Sequence, residues 1–142
     1  MLKIWTDGAC TNNGYKNAKA GYGVYFENEK YPSISKRLKG KQTNNCAELY
    51  AVYAALKRLY YRSPPCSVHF YIDNEIALNT LITTRKTGEN WNIIEKLYRV
   101  RGILIERGFK ITGEHVKAHS TSRENNIADK LATSGAKKAE RK

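Results

Sequence analysis

The feature that most constrains this chain is a change of hydrophobic period near Asn45. Before it, residues 2–10 alternate with period two. Leu2, Ile4, Thr6 and Gly8 fall on one side and Lys3, Trp5, Asp7 and Ala9 on the other, the pattern of a strand with two unlike faces. Asn12, Asn13, Gly14 and Asn17 carry turn chemistry. Residues 20–27 and 31–39 read as second and third strands, and connections this short imply antiparallel pairing. After Asn45 the period becomes helical. Ala47, Ala51, Ala54 and Ala55, then Leu59, recur to about Arg62. Side chains this small let a helix lie close to a sheet. Ser63-Pro64-Pro65 ends it.

The pattern then alternates. Residues 67–72 read as a buried strand, Glu75 to about Thr84 as a helix, and 85–90 as a loop. Trp91 to Arg107 is a helix with Ile93, Leu97, Val100 and Leu104 inward, stopped by Gly108. Residues 109–117 read as a strand, Ala118 to Ser122 as a loop, and 124–139 as a helix with Ile127, Leu131 and Ala128 inward. The order β-β-β-α-β-α-α-β-α predicts one α/β domain: a five-stranded mixed sheet, three antiparallel strands then parallel ones, flanked by helices. The domain is read as residues 1–136, and 137–142 as a frayed basic tail.

Composition narrows the partners. A chain of 142 residues with 41% hydrophobic and 27% charged residues suits one globular domain. Its net charge is +12, from 25 Lys+Arg against 13 Asp+Glu, a balance that favours phosphates. No apolar run approaches the roughly 20 residues that span a bilayer, and no helix pairs a Lys-rich face with a Trp/Phe-rich one. Nucleic acid is therefore the expected partner, with no membrane and no small-molecule cofactor. The three cysteines, Cys10, Cys46 and Cys66, are odd in number and lack metal-ligand spacing. Together with the absence of a signal peptide before the first strand, they lead to the expectation of a reduced, intracellular, cytoplasmic protein.

In so basic a chain the informative residues are the acids. Asp7 lies inside the first alternating strand, although Asp-Gly also opens hairpins. Glu48 stands three residues after Asn45, the spacing of a capping box. Asp73 follows the buried strand, where it can cap the next helix. Asp129 sits early on the last helix, where a plain surface acid would also stand. Two of the four are at strand ends and two in early helical turns that pack on the sheet, so all can aim at one edge. Such a cluster is strained without cations: two unit charges about 4 Å apart repel by roughly 4 kcal/mol at an effective dielectric near 20. Hard divalent ions relieve that strain with oxygen ligands. A pair of them suits in-line phosphoryl displacement. His119, in a polar loop ten residues before Asp129, suits a proton shuttle. His69 and His115 lie inside strands and read as structural.

At these residues the sequence resembles the type-1 ribonuclease H family, over about residues 2–135. The pieces are Thr6-Asp7-Gly8-Ala9-Cys10, Gly21-Tyr22-Gly23, Thr43-Asn44-Asn45-Cys46-Ala47-Glu48-Leu49, Ile72-Asp73, Val116-Lys117-Ala118-His119 and Asn126-Ile127-Ala128-Asp129-Lys130-Leu131-Ala132. Each is weak alone; their order and spacing together are strong. The resemblance implies endonucleolytic cleavage of the RNA strand of RNA–DNA hybrids, leaving 5′-phosphate and 3′-hydroxyl ends. It implies that Asp7, Glu48, Asp73 and Asp129 hold two Mg²⁺ ions, or Mn²⁺ in their place, serving the attacking water and the leaving 3′-oxygen. His119 would assist proton movement and product release. Asn13, Thr43, Asn44 and Asn45 match positions that contact the hybrid. Trp91 resembles a family tryptophan and reads as a core aromatic.

Three departures stand out. The family's Asp-Ser after the fourth strand is Asp73-Asn74. Its glycine before the loop histidine is Ala118. Many members carry a long basic helix and loop as a handle on the hybrid, whereas here only RKTGENWN bridges two helices. Members without the handle bind weakly or belong to a reverse transcriptase. This chain is therefore expected to act as a monomer or in association with a polymerase. Basic residues elsewhere offer compensation: Lys36, Arg37, Lys39 and Lys41 before the first long helix, and Lys57, Arg58 and Arg62 along it beside Tyr60 and Tyr61. Arg85, Lys86, Lys137, Lys138, Arg141 and Lys142 add to them. A hybrid-binding module that does not cut would need a broken carboxylate set. Junction resolvases and integrase-type transferases lack the Thr-Asn-Asn…Glu entry together with the Lys-Ala-His loop.

Overall fold

The computed structural model describes residues 1–84, 88–117 and 122–139. The strands are β1 (Leu2–Thr11), β2 (Lys19–Phe26), β3 (Ile34–Arg37), β4 (Ser67–Ile72) and β5 (Lys110–His115). The helices are α1 (Asn44–Arg62), α2 (Glu75–Ile82), α3 (Trp91–Glu106) and α4 (Arg123–Ala136). The sheet order is β3-β2-β1-β4-β5. β1–β2 and β2–β3 pair antiparallel, whereas β1–β4 and β4–β5 pair parallel. This is the mixed sheet that the sequence predicts.

The third strand is shorter than the expected 31–39. Tyr31 N donates to Asn28 O in a turn (3.0 Å), and Pro32 brings no N–H to a ladder. Tyr31 instead buries its ring against Phe26, centroids 5.6 Å apart.

The even-numbered side of β1 packs on α1. Ile4, Phe26, Phe70, Leu49, Leu56 and Leu97 are buried there, with α3 outside α1. Trp91 packs partly buried against this core, beside Tyr98, as a core aromatic should. Gly108, with φ +102°, turns the chain out of α3, while Phe109 N reaches back to Leu104 O (3.0 Å).

The odd-numbered side of β1 faces α4, and here the expectation is corrected. Ile127 and Leu131 are only half-buried. The inward face consists of Asn125, Ala128, Ala132, Gly135 and Ala136. The cause is a close backbone approach. A Cβ on Gly23 would stand 2.6 Å from Ala132 N, and one on Gly21 would stand 2.1 Å from Ala136 N. The helix lies so near β2 that large side chains must splay to its flanks. The helix ends at Ala136, and Lys138 is fastened to the sheet edge rather than frayed. Its Nζ donates to Ser35 O (2.6 Å), and its carbonyl accepts from Arg37 Nη1 (3.0 Å).

Two glycine replacements should therefore act with opposite sign. Gly23→Ala forces β2 and α4 apart and should cost at least about 2–3 kcal/mol. Gly102→Ala, on α3 with nothing within 4 Å of its Cβ position, should stabilise by about 0.5–1 kcal/mol through helix propensity. Urea unfolding followed by circular dichroism measures both.

Candidate active site

The site forms where β4 stops and β1 continues. Their last parallel pair is Thr6↔Ile72, so Asp7 and Asp73 extend side by side past the end of the shared ladder. Strand ends of this kind collect functional groups in α/β sheets. Glu48 arrives from the opposite side of the sheet. A Cβ on Gly8 would stand 2.5 Å from Glu48 N and 2.7 Å from Ala47 C, so only glycine lets α1 press its first turns onto β1. Gly8 N then donates to both Asp7 Oδ1 (3.0 Å) and Glu48 Oε1 (2.9 Å).

Two capping roles open to the acids in the sequence are taken by neighbours. Thr43 caps α1, its hydroxyl accepting from Cys46 N (3.2 Å). Asn45 is not the cap, and Glu48 closes no capping box. Asn74 caps α2, its Oδ1 accepting from Ala77 N (2.9 Å). Both carboxylates are thereby released toward the site.

Asp7, Glu48 and Asp73 each bring a carboxylate oxygen within 4.8 Å of the others. Asp7 and Glu48 are only 5% and 3% exposed. Burial, followed by the Asp73 charge, raises the Asp7 pKa to about 8. Burial and then the charges of Asp7 and Asp73 raise Glu48 well above the ordinary range. Asp73 is raised mainly by burial. Asp129 lies outside this tight trio, on the exposed side of α4, yet its side-chain hydrogen bond and then its charge raise Asp7, and its charge raises Asp73. Glu48 Oε2 is buried with no hydrogen-bond partner. An orphaned carboxylate oxygen among three clustered acids is a donor set that fits a hard divalent cation.

The expected hybrid contacts gather at the N-terminus of α1. Asn13 Oδ1 accepts from Asn44 N (3.1 Å), Thr43 is the cap, and Asn45 Oδ1 accepts from Asn74 Nδ2 (3.5 Å). Ala118 and His119 lie outside the described residues, as do Arg85, Lys86, Arg141 and Lys142. Val116 N, shortly before His119 in the chain, donates to Ile72 O (2.9 Å) at the same sheet edge. His69 is structural as expected, bridging Thr112 Oγ1 (2.6 Å) and Glu114 Oε1 (2.9 Å). His115 is structural too, at a place that matters: it is exposed, and its Nε2 donates to Asp73 O (3.0 Å) beside the cluster. Sequence reasoning missed it, because the β4–β5 register, Ile72↔His115, is what brings it there. Lys41 is held to the α2–α3 connection, by Glu89 (3.2 Å) and Asn90 (3.5 Å).

Comparison with known proteins bears on this geometry. The model of the RNase H family matches residues 1–137. Ribonuclease H of Clostridium botulinum is 32% identical over 139 residues, 91% of each chain. Human Ribonuclease H1 is 31% identical over 148 residues, 99% of this chain and 51% of the human protein. The chain thus spans about half the length of the mammalian relatives it matches. Among solved structures, LC11-RNase H1 in complex with RNA/DNA hybrid superposes with TM-score 0.73 at 25% identity, covering 96% of both chains. Foamy virus protease-reverse transcriptase shares the fold at TM-score 0.73 and 22% identity, over 98% of this chain and 21% of the viral one.

The raised acids predict how metal-free protein responds to pH. Asp7 binds its proton more tightly folded, near pH 8, than unfolded, near 3.8. Its stabilising contribution is complete below the unfolded value and is lost as pH rises through about 8. In EDTA, wild type should lose on the order of a few kcal/mol between pH 5 and 8.5. Asp7→Asn should lose markedly less. Millimolar Mg²⁺ should raise the wild-type Tm more at pH 8.5 than at pH 5. Thermal melts of both proteins check this, and identical pH slopes would remove Asp7 from the strained cluster.

Proposed function

Because the chain belongs to the RNase H family, we propose that it hydrolyses the RNA strand of RNA–DNA hybrids endonucleolytically, leaving 5′-phosphate and 3′-hydroxyl ends. The observation that carries this reading is the meeting of Asp7, Glu48 and Asp73 within 4.8 Å around an unpartnered carboxylate oxygen. Asp7, Glu48, Asp73 and, from the open side, Asp129 are the residues proposed to hold two Mg²⁺ ions, with Mn²⁺ as substitute. Bound there, divalent cations supply Lewis acidity to the attacking water and to the leaving oxygen.

The chain's own groups do the remaining work. The Gly8 amide fixes Asp7 and Glu48 in one orientation. His115 holds the backbone of Asp73. Asp129, being exposed, is the ligand able to adjust as substrate enters. His119 is proposed to move protons and help release product. Asn13, Thr43, Asn44 and Asn45 meet the minor groove of the hybrid. The 2′-hydroxyl there is what separates RNA from DNA at a given site. The hybrid bound by LC11-RNase H1, a relative at 25% identity, supports the same substrate for this chain.

A monomer in a reducing cytoplasm completes the proposal. Its support is the set of free thiols, Cys10, Cys46 and Cys66. The fold shared with foamy virus protease-reverse transcriptase supports association with a polymerase.

The experiment is cleavage of one labelled sequence as RNA–DNA hybrid, double-stranded RNA, double-stranded DNA and single-stranded RNA, in Mg²⁺, Mn²⁺ or EDTA. Only the RNA strand of the hybrid should be cut, and only with metal. Asp73→Asn should lower the rate by at least about 10³-fold while hybrid binding persists. His119→Ala should lower it by about 10²-fold or less. Hybrid binding without any cleavage would replace a nuclease with a binding module.

A further inference from the structure

Three shallow grooves lie side by side along the outer surface of α1. One, of about 490 Å³, runs between the β3 edge and the early part of α1, lined by Tyr22, Lys36, Arg37, Lys39, Tyr50 and Lys138. The next, of about 310 Å³, shares Tyr22 and Lys36 and continues over Lys57, Arg58, Tyr61 and Arg62. The third, of about 320 Å³, shares Lys57 and Tyr61 and reaches Lys96 and Arg99 of α3. No carboxylate lines any of them. Arg99 is already bonded to Glu95 (3.1 Å), so the first two grooves hold most of the available charge.

We propose that the first two grooves form a track for single-stranded nucleic acid, separate from the carboxylate site. Tyr50, Ala54, Lys57 and Tyr61 stand at i, i+4, i+7 and i+11, one face of α1. From Tyr50 to Arg62 the helix rises about 18 Å. The track therefore starts two residues beyond Glu48 and leads away from it. A concave surface lined by one sign of charge focuses its field on a polyanion. Lys36, Lys39, Lys57 and Arg62 are in no ion pair among the described residues.

The aromatics decide the kind of strand. Tyr61 is 71% exposed, and its ring is braced edge-on by Tyr60, centroids 4.8 Å apart. A duplex hides its base faces, whereas an unpaired strand offers them to aromatic rings beside a basic groove. A sequence-tolerant single strand, such as an overhang continuing from a bound hybrid, fits both halves of the surface. The inference goes beyond the cleavage reading and does not depend on it, since binding to a free single strand is measured without turnover.

The test is fluorescence anisotropy of the full chain in EDTA with a labelled 15-nucleotide dT strand and a 15-unit abasic strand of equal charge. The dT strand should bind at least about 10-fold tighter than the abasic one. Tyr61→Ala should weaken dT binding by about 5- to 100-fold, the range for one stacked base, and leave abasic binding unchanged. The double variant K57E/R62E should weaken both strands and remove the extra affinity of a dT-tailed hybrid over a blunt one. Equal affinity for dT and abasic strands would mean general polyanion contact and overturn the proposal. Unchanged dT affinity in both variants would overturn it as well.

Discussion

The contact on which this structure turns is that between Gly8 and the first turns of α1. An added Cβ would stand 2.5 Å from Glu48 N, so the distance between strand and helix is set by the missing side chain. That distance decides whether Glu48 reaches the Gly8 amide at all. The amide is shared, donating to Asp7 and Glu48 together, and one N–H satisfies only part of two carboxylates. What is left over, Glu48 Oε2, is buried and unpartnered. Packing thus creates the electrostatic strain. The helix is drawn in by its apolar face, Leu49, Val52 and Leu56, and it carries an acid into a place where that acid cannot be comfortable alone. A site whose strain is relieved by cations is the consequence of that geometry.

The other face of the sheet repeats the device with a different result. Gly21 and Gly23 let α4 approach β2, and Gly135 lets it approach Lys36 of β3. Here no acid is driven inward. Asp129 stays exposed while Ala128 and Ala132 are buried. The two helices therefore deliver their carboxylates under different conditions. Glu48 is buried and held by the Gly8 amide, and Asp129 is exposed.

Local chemistry was legible in the sequence; distances across the fold were not. The strand alternation around Asp7, the Pro64-Pro65 break and the Gly108 stop each act within a few residues, and each appears where expected. Of the four acids that the family resemblance singles out, Asp7, Glu48 and Asp73 meet within 4.8 Å, and Asp129 stands outside that trio. The capping roles went elsewhere, to Thr43 and Asn74, because cap choice depends on which residue leaves helical geometry first. The inward face of α4 was misread for a stronger reason. Periodicity favours Ile127 and Leu131 as the apolar stripe, but the glycines of β2 bring backbone so close that only alanine and glycine fit. The information sits more than a hundred residues away in the chain. His115 is similar: alternation marks a strand, and only the register with Ile72 brings the ring to Asp73.

The absent handle gives the charge distribution its meaning. Along the short α2–α3 connection, Lys41 is tied to Glu89 and Asn90, and Asn90 Oδ1 also accepts from Cys46 Sγ (3.1 Å). Glu89 and Asn90, at the end of that connection, are thereby fastened beside the N-terminus of α1. Exposed pairs of this kind contribute little stability, but they neutralise the Lys41 cation beside the N-terminus of α1. Lys36, Lys39, Lys57 and Arg62, which are in no ion pair among the described residues, line the grooves on the β3 side of α1. Long-range attraction of a polyanion depends on net charge and on where it is concentrated. Among the described residues that concentration begins beside the first turns of α1 and runs along the helix away from the carboxylates.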